Sequence, residues 1–182
     1  MSYGQPSAGV SEAEIRGATE GTLDKAQGGQ HGRLPPNAEA VVSFKGLRVD
    51  RSQNKNAITN GCLFAAFDVE VAQCSKPETC PPGHAVGFVM AGLDSRMNNG
   101  SLAKSSQADL RRCLAAFLGL NSESAPPPIP QPDGTLKQNS TWTDVLIFCK
   151  NNPHNLIGKQ VRVVTGTPKG DFIPMQFFAV QG

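Results

Sequence analysis

The chain has 182 residues, 38% of them hydrophobic, and carries a formal net charge of +2. This length suits one domain with tails and is too short for two independent cores, and the weak charge does not by itself mark a nucleic-acid-binding protein. Because no stretch approaches the roughly 20 apolar residues of a membrane span, and the N-terminus lacks a signal-peptide pattern, we expect a soluble intracellular protein without membrane contact.

Residues 1–37 are rich in Gly, Ser, Gln and Ala and hold few large apolar side chains. Such a segment cannot bury enough surface to offset the entropy lost on ordering. The sequence therefore predicts a flexible N-terminal arm, residues 1–37, in front of one domain, residues 38–182. Within the arm, the stretch SEAEIRGATE predicts only a marginal short helix, capped at Ser11.

Three strands are predicted in the first half of the domain. The β-branched and aromatic residues 40–50 and 62–72 are separated by a polar loop, which indicates two strands of a long hairpin. In the second strand Phe67 and Val69 alternate with Asp68, as expected for a half-buried strand. Residues 84–92 predict the third strand.

Two helices are predicted next. Ser106 and Asp109 have the spacing of a capping box, and apolar residues follow at helical spacing up to Gly119, where the helix should end. A Pro-rich loop, residues 124–134, separates it from a shorter helix that starts with Thr141 and Asp144 and ends before Pro153.

The chain closes with two further strands, residues 157–165 and 171–180, joined by a turn. Pro174 cannot donate to a ladder, so that part of the last strand should be an edge or a bulge. The fold class predicted is mainly β with inserted helices (α+β). Three strands, helices and two strands match an OB-like five-stranded barrel with the helices between strands three and four.

Two segments strengthen this likeness. The helix end LAAFLGL and the later LIGKQVRVVTGTPKGDFIPMQFFAV resemble the C-terminal half of phage-encoded single-stranded DNA-binding proteins of the OB type. The resemblance covers residues 40–180 in layout and residues 106–120 and 156–180 in detail. It departs from bacterial single-strand binders at the end, FFAVQG, where no acidic tail is present to recruit replication partners.

The resemblance implies sequence-tolerant binding of single-stranded DNA, in phage DNA replication or recombination, within the cytoplasm of an infected bacterial host. It implies no cofactor, and it leaves a homo-oligomer open. Single-strand binding needs cations that track phosphates and aromatic faces that stack on bases. The side chains that we assign to nucleic-acid binding are Phe44, Arg48, Arg51, Lys55, Phe88, Lys159, Arg162, Lys169 and Phe172.

Pleat alternation places Phe44 and Arg48 on one face of the first strand, and they form the preferred pair. On the last hairpin, alternation sends Val161 inward and Arg162 outward, while Lys159 shares the inward parity. The alternative interpretation is that the Phe residues are core and the cations are an ordinary solvated surface.

Five cysteines, an odd number in a chain without a secretion signal, favour reduced thiols over a disulfide framework. The loop CSKPETCPPGH adds a weak zinc candidate, formed by Cys62, Cys74, Cys80 and His84. The spacing of its cysteines is poor for structural zinc, so a polar loop without metal is the preferred interpretation. We take Cys113 and Cys149, at helix-core positions, as small hydrophobic residues.

Catalysis finds little support in the sequence. The residues His31, His84 and His154 lie in unlike settings, and no nucleophile, phosphate-loop or zinc-protease motif is present. We therefore expect no enzyme. The alternative to DNA binding is a virion or scaffold structural protein that uses the N-terminal arm to grip its neighbours on assembly.

Overall fold

The computed structural model describes residues 9–19, 34–53, 61–94, 101–170 and 173–180, with the side chains of α2 from residue 106 onward. In chain order the helices and strands are α1 (Glu12–Thr19), β1 (Glu39–Arg51), β2 (Leu63–Cys74), β3 (Ala85–Ala91), α2 (Ser101–Phe117), β4 (Ile129–Pro130), β5 (Leu136–Lys137), α3 (Trp142–Asn151), β6 (Gln160–Thr165) and β7 (Met175–Ala179).

Five of the strands form one antiparallel sheet in the order β3-β2-β1-β6-β7. The predicted mainly β class and the helices between the third and fourth long strands are confirmed. The predicted closed barrel is wrong, because β3 and β7 are the two edges of the sheet. Side chains bridge these edges instead of a hydrogen-bond ladder: the rings of Phe88 and Phe177 meet at a centroid distance of 5.4 Å, and α2 packs against both strands.

The inner face of the sheet holds the core. Phe44 of β1 and Phe67 of β2 lie against Phe117 of α2, at centroid distances of 5.3 and 5.8 Å respectively. Val161 and Val163 point inward, as predicted, and are fully buried. Aromatic pairs in these geometries add to the stabilisation from burial itself, so this cluster fixes α2 on the sheet.

A bulge in β1 changes which residues face outward. Phe44 pairs with Val69 and Gly46 pairs with Asp68, so Lys45 is an extra residue without a partner on β2. The alternation therefore shifts: Phe44 is buried, whereas Arg48 is exposed on the opposite face. The predicted Phe44–Arg48 pair on one face is thus wrong, because the bulge inverts the parity between them.

Helix α2 begins five residues before the predicted start. Ser106 lies inside the helix, and its hydroxyl donates to the carbonyl of Ala91 at 2.6 Å instead of capping. Gln107 donates to the carbonyl of Leu93 at 2.7 Å, so both side chains tie the helix to the end of β3. The predicted end is confirmed, since the helix stops at Phe117 and Gly119 takes φ of 75°.

Helix α3 begins as predicted, with the reciprocal capping box of Thr141 and Asp144. Asp144 is 6% exposed and also pairs with Lys137 at 2.7 Å and Arg16 at 2.9 Å. Burial opposes its ionisation, but hydrogen bonds from Lys137, Thr141 and Arg16 outweigh that effect and hold the pKa of Asp144 well below its usual range. β4 and β5 form a short hairpin at the Pro-rich segment. The Asp144 carboxylate thus connects α3 to α1 through Arg16 and to this hairpin through Lys137.

The described part of the N-terminal segment is packed, which corrects the prediction of a flexible arm for residues 9–19 and 34–37; the rest of the predicted arm lies outside the described residues. Ser11 caps α1 as predicted, and Ile15 is fully buried in the core. Thr19 contacts Thr143 of α3 through their hydroxyls at 3.0 Å. Leu34 is 2% exposed. The helix is stable here because it packs on α3, which local sequence could not reveal.

Candidate nucleic-acid interface

The outer face of the sheet, the side turned away from α2, carries two of the predicted cations, Arg48 of β1 and Arg162 of β6. Because strands alternate, the side chains between the buried positions of β1, β2, β6 and β7 project from this face. It divides into two halves, which we name by their strands: the β1–β3 half and the β6–β7 half.

In the β1–β3 half the cations are paired with carboxylates on the facing strand. Lys45 lies 3.2 Å from Glu70, and Arg48 lies 3.2 Å from Asp68. These four side chains border a shallow cleft of about 540 Å³. Exposed pairs such as these stabilise a fold by roughly 0–1 kcal/mol, but they leave the surface close to neutral. This half therefore offers phosphate little net attraction.

Two predicted stacking residues are corrected by their burial. Phe44 and Phe88 are both fully buried, one against the Phe67–Phe117 pair and the other against Phe177. Neither ring presents a face to a base, because the core already covers both sides. For these two residues the alternative interpretation, as core, was the right one.

Arg51 also has a structural role. It pairs with Glu14 of α1 at 3.2 Å and with Asp94 at 3.1 Å, and donates to the carbonyl of Gly61 at 2.9 Å. Hydrogen bonds to Asp94 and Glu14 raise the pKa of Arg51. These contacts fasten α1 to the open end of the β2–β3 hairpin, where Gly61 precedes β2 and Asp94 follows β3. Arg51 therefore has a structural role.

The remaining predicted cations lie apart from one another. Lys159 and Lys169 are exposed. Since β6 begins at Gln160, Lys159 precedes the strand and the alternation that seemed to send it inward does not apply. Lys55 and Phe172 lie outside the described residues.

The β6–β7 half holds a different arrangement. Arg162 of β6 pairs across the ladder with Phe178 of β7, and its guanidinium carbon lies 4.5 Å from the centre of the ring. Phe178 remains 38% exposed. Arg162 also pairs with Glu39 of β1 at 3.2 Å. The guanidinium therefore lies over one part of an aromatic ring that is otherwise partly exposed on the sheet.

A cleft of about 790 Å³ adjoins this pair. One wall is the turn after α2, residues 119–122, and the other is β7 with Val180, which is 39% exposed. Next to Arg162 on β1 lies the half-buried Val41, and Gln176 of β7 is exposed nearby. The half thus combines apolar surface, amide groups and one guanidinium.

Phe178 was missed in the sequence, although a signal was available. In the stretch MQFFA the alternation that buries Met175 and Phe177 must turn Phe178 outward. Arg162 and Phe178 are therefore cross-strand neighbours on the outer face of the last hairpin.

The zinc candidate does not assemble. Cys62 and Cys74 flank β2 at opposite ends, about 40 Å apart at roughly 3.3 Å per residue. His84 is exposed, and the residues that the structure describes contain no cluster of three or more ligands able to hold a metal ion. The turn at Lys76 brings Cys80 next to Cys74, but two thiols do not make a zinc site.

Comparisons of the chain with protein-family models, with curated proteins and with solved structures found no match. Among the described residues, no helix has both the length and the apolar character needed to cross a membrane. The function must therefore be inferred from the geometry of the outer face.

Proposed function

We propose that this protein binds single-stranded DNA without strong sequence preference, through the β6–β7 half of its outer face. The observation that carries the proposal is the exposed ring of Phe178 beside the guanidinium of Arg162 at 4.5 Å. Stacking on an aromatic side chain is worth about 1–3 kcal/mol per base and tolerates any base, because every base has a π-face. The adjacent cation can meet the phosphate of the same nucleotide.

The cleft of about 790 Å³ supports a ligand of nucleotide size at this pair. A base can stack on the open part of the Phe178 ring or on the planar guanidinium, while the exposed amide of Gln176 offers hydrogen bonds to base edges. None of these contacts reads one base uniquely, so sequence tolerance follows from the chemistry.

The order of elements is consistent with this proposal. Three strands, a helix and two strands, with Phe88 touching Phe177 between the sheet edges, resemble a partly open OB-type barrel. Together with the likeness to phage single-strand binders, this favours DNA over RNA and a role in phage replication or recombination in an infected host. In this proposal the protein is not an enzyme and needs no cofactor.

The pair between Arg162 and Glu39 sets the strength of binding. A phosphate that approaches Arg162 must displace the Glu39 carboxylate, which now lies 3.2 Å away. Because most outer-face cations are paired with a carboxylate in this way, we expect moderate affinity for DNA, which depends on further Lys and Arg side chains from the loops. Binding should weaken with salt, since each neutralised phosphate releases counterions.

Fluorescence anisotropy of labelled single-stranded DNA tests the proposal, at low and at near-physiological salt, with duplex DNA and RNA as competitors. We expect salt-sensitive binding for which the single strand competes better than the duplex. Arg48→Gln is the matched control, because Arg48 lies on the same face but in the β1–β3 half. Undetectable or salt-insensitive binding at low salt would contradict the proposal.

A second function is favoured by one specific observation. The described cations of the outer face are largely neutralised by carboxylates, and apolar side chains are exposed near both sheet edges, Val89 at 44% and Val180 at 39%. A neutral face with apolar edges suits protein contacts, as in a virion or scaffold protein. Size-exclusion chromatography without nucleic acid separates the two, since a structural protein should form large assemblies on its own.

A further inference from the structure

The turn after β2 brings two cysteines together. Thr79 and Cys80 both donate their backbone N–H to the carbonyl of Lys76, at 3.2 and 3.0 Å, which folds the chain back on the end of β2. The turn therefore brings Cys80 next to Cys74, and burial together with this neighbouring thiol raises the pKa of Cys80. The backbone N–H of Lys76 also donates to the sulfur of Cys74 at 3.4 Å, which holds that side chain in place.

The two thiols differ in access to solvent. Cys74 is half-buried and lines a cleft of about 320 Å³ together with Glu39 and Ser75. Cys80 is 1% exposed, so Cys74 is the more accessible residue of the two. Burial and the neighbouring Cys74 raise the pKa of Cys80, so Cys74 is the better placed thiol to react first.

We propose that Cys74 and Cys80 form a reversible intramolecular disulfide when the protein meets hydrogen peroxide. The Cys74 thiolate attacks one peroxide oxygen, so that an S–O bond forms, the O–O bond breaks and hydroxide leaves. The Cys80 sulfur then attacks the Cys74 sulfenic acid, the S–S bond forms and water leaves. The two thiols lose two electrons and two protons in all, and the peroxide is reduced to two waters.

This pair stands apart from the other thiols of the chain. Cys62 lies at the far end of β2 and contacts neither sulfur. Burial raises the pKa of Cys113, and it raises that of Cys149 to about 12, so both should stay reduced. The proposal does not depend on nucleic-acid binding, since neither cysteine belongs to the Arg162–Phe178 pair.

The test uses the full chain, reduced and then treated with a small excess of hydrogen peroxide, followed by alkylation and intact-mass measurement. We expect the loss of two hydrogen masses and its reversal by a phosphine reductant. Cleavage after Glu78, which lies between the two cysteines, should give peptides joined through Cys74 and Cys80. Trypsin is unsuitable, because the intervening Lys76 precedes Pro77.

Matched variants assign the bond. Cys62→Ser should lose the two hydrogens as the native chain does, whereas Cys74→Ser and Cys80→Ala should not. If Cys80→Ala fails to fold, the peptide map of the native chain still shows whether Cys74 is linked to Cys80. The proposal is overturned if the joined peptides contain another cysteine pair, if Cys74 proceeds to sulfinic acid without linking, or if it links only to a second chain.

Discussion

The two faces of the five-stranded sheet differ in what surrounds the same types of residue. On the inner face Phe44, Phe67 and Phe117 pack ring against ring and are closed to solvent. On the outer face Phe178 is open, and Arg162 lies over it. The comparison teaches that residue type alone does not separate a core aromatic from an exposed one, whereas its side of the pleat does.

A second contrast lies within the outer face. In the β1–β3 half two outer-face cations, Lys45 and Arg48, are each paired with a carboxylate. The β6–β7 half has one, Arg162, which adjoins Phe178 and a cleft. A count of charges alone would favour the β1–β3 half, whereas the site that we propose lies in the β6–β7 half.

The largest expected difference is in the free energy of unfolding, between a variant of a core aromatic residue and a variant of an outer-face one. Phe44→Ala removes a fully buried ring and should lower the free energy of unfolding by about 3–5 kcal/mol. Phe178→Ala should lower it by less than about 1 kcal/mol, because the ring is already 38% exposed. Urea denaturation measures both, and equal losses would show that Phe178 belongs to the core.

The next largest difference in the free energy of unfolding is expected between the loss of a buried ion pair and the loss of an exposed one. Asp144→Asn breaks contacts of a nearly buried carboxylate with Lys137 and Arg16, and we expect a loss of about 2 kcal/mol. Asp68→Asn, on the outer face, should cost about 0–1 kcal/mol.

The pH dependence of the Asp144 effect has a definite sign. The folded state lowers the pKa of Asp144, so its contribution is complete above the unfolded value of about 3.9 and is lost as pH falls through the folded value. The stability gap between the native chain and Asp144→Asn should therefore be constant above about pH 5 and shrink below about pH 4. A gap that widened in acid would contradict this assignment.

The two outer rings should differ in binding. Phe178→Ala should weaken single-stranded DNA binding about 10- to 100-fold, which corresponds to the loss of one stacked base at about 1–3 kcal/mol. Phe64→Ala is the control, because Phe64 is only partly exposed and lies on β2 in the other half. Anisotropy titrations of both variants measure the difference, and equal weakening would remove the distinction between the halves.

The smallest expected effect concerns the two paired arginines. Arg162→Gln should reduce the slope of log affinity against log salt by about 0.7, the value for one lost phosphate contact on a single strand. Arg48→Gln should leave the slope unchanged, because in the native chain Arg48 pairs with Asp68 at 3.2 Å and we expect it to make no phosphate contact. Titrations at four salt concentrations compare the two variants. A change of slope for Arg48→Gln but not for Arg162→Gln would contradict the proposed site and indicate binding at the β1–β3 half.

Local patterns in the sequence predicted much of the fold. The Thr141–Asp144 box fixed the start of α3, and the alternation of Phe67, Asp68 and Val69 fixed the faces of β2, because both depend on neighbours within a few residues. Pro174 predicted an edge or a bulge in that part of the last strand; β7 begins directly after it, at Met175, and is an edge of the sheet.

Features set by distant contacts could not be predicted. The bulge at Lys45 depends on the register between β1 and β2, and one extra residue moved Arg48 to the face opposite Phe44. The packing of α1 depends on Thr143 and Asp144, more than 120 residues away, so its weak local propensity was misleading. The exposure of Phe178 needs no distant contact, because it follows from the alternation of β7, in which Met175 and Phe177 are buried.

The measurement that most directly tests the central claim is a chemical-shift map of the isotope-labelled protein titrated with a short single-stranded DNA. If the β6–β7 half is the interface, the backbone amides of Arg162, Val164, Gln176 and Phe178 should show the largest shifts, and those of Arg48 and Asp68 should show little change. Shifts centred on β2 and β3, or no saturable shifts at low salt, would contradict the account.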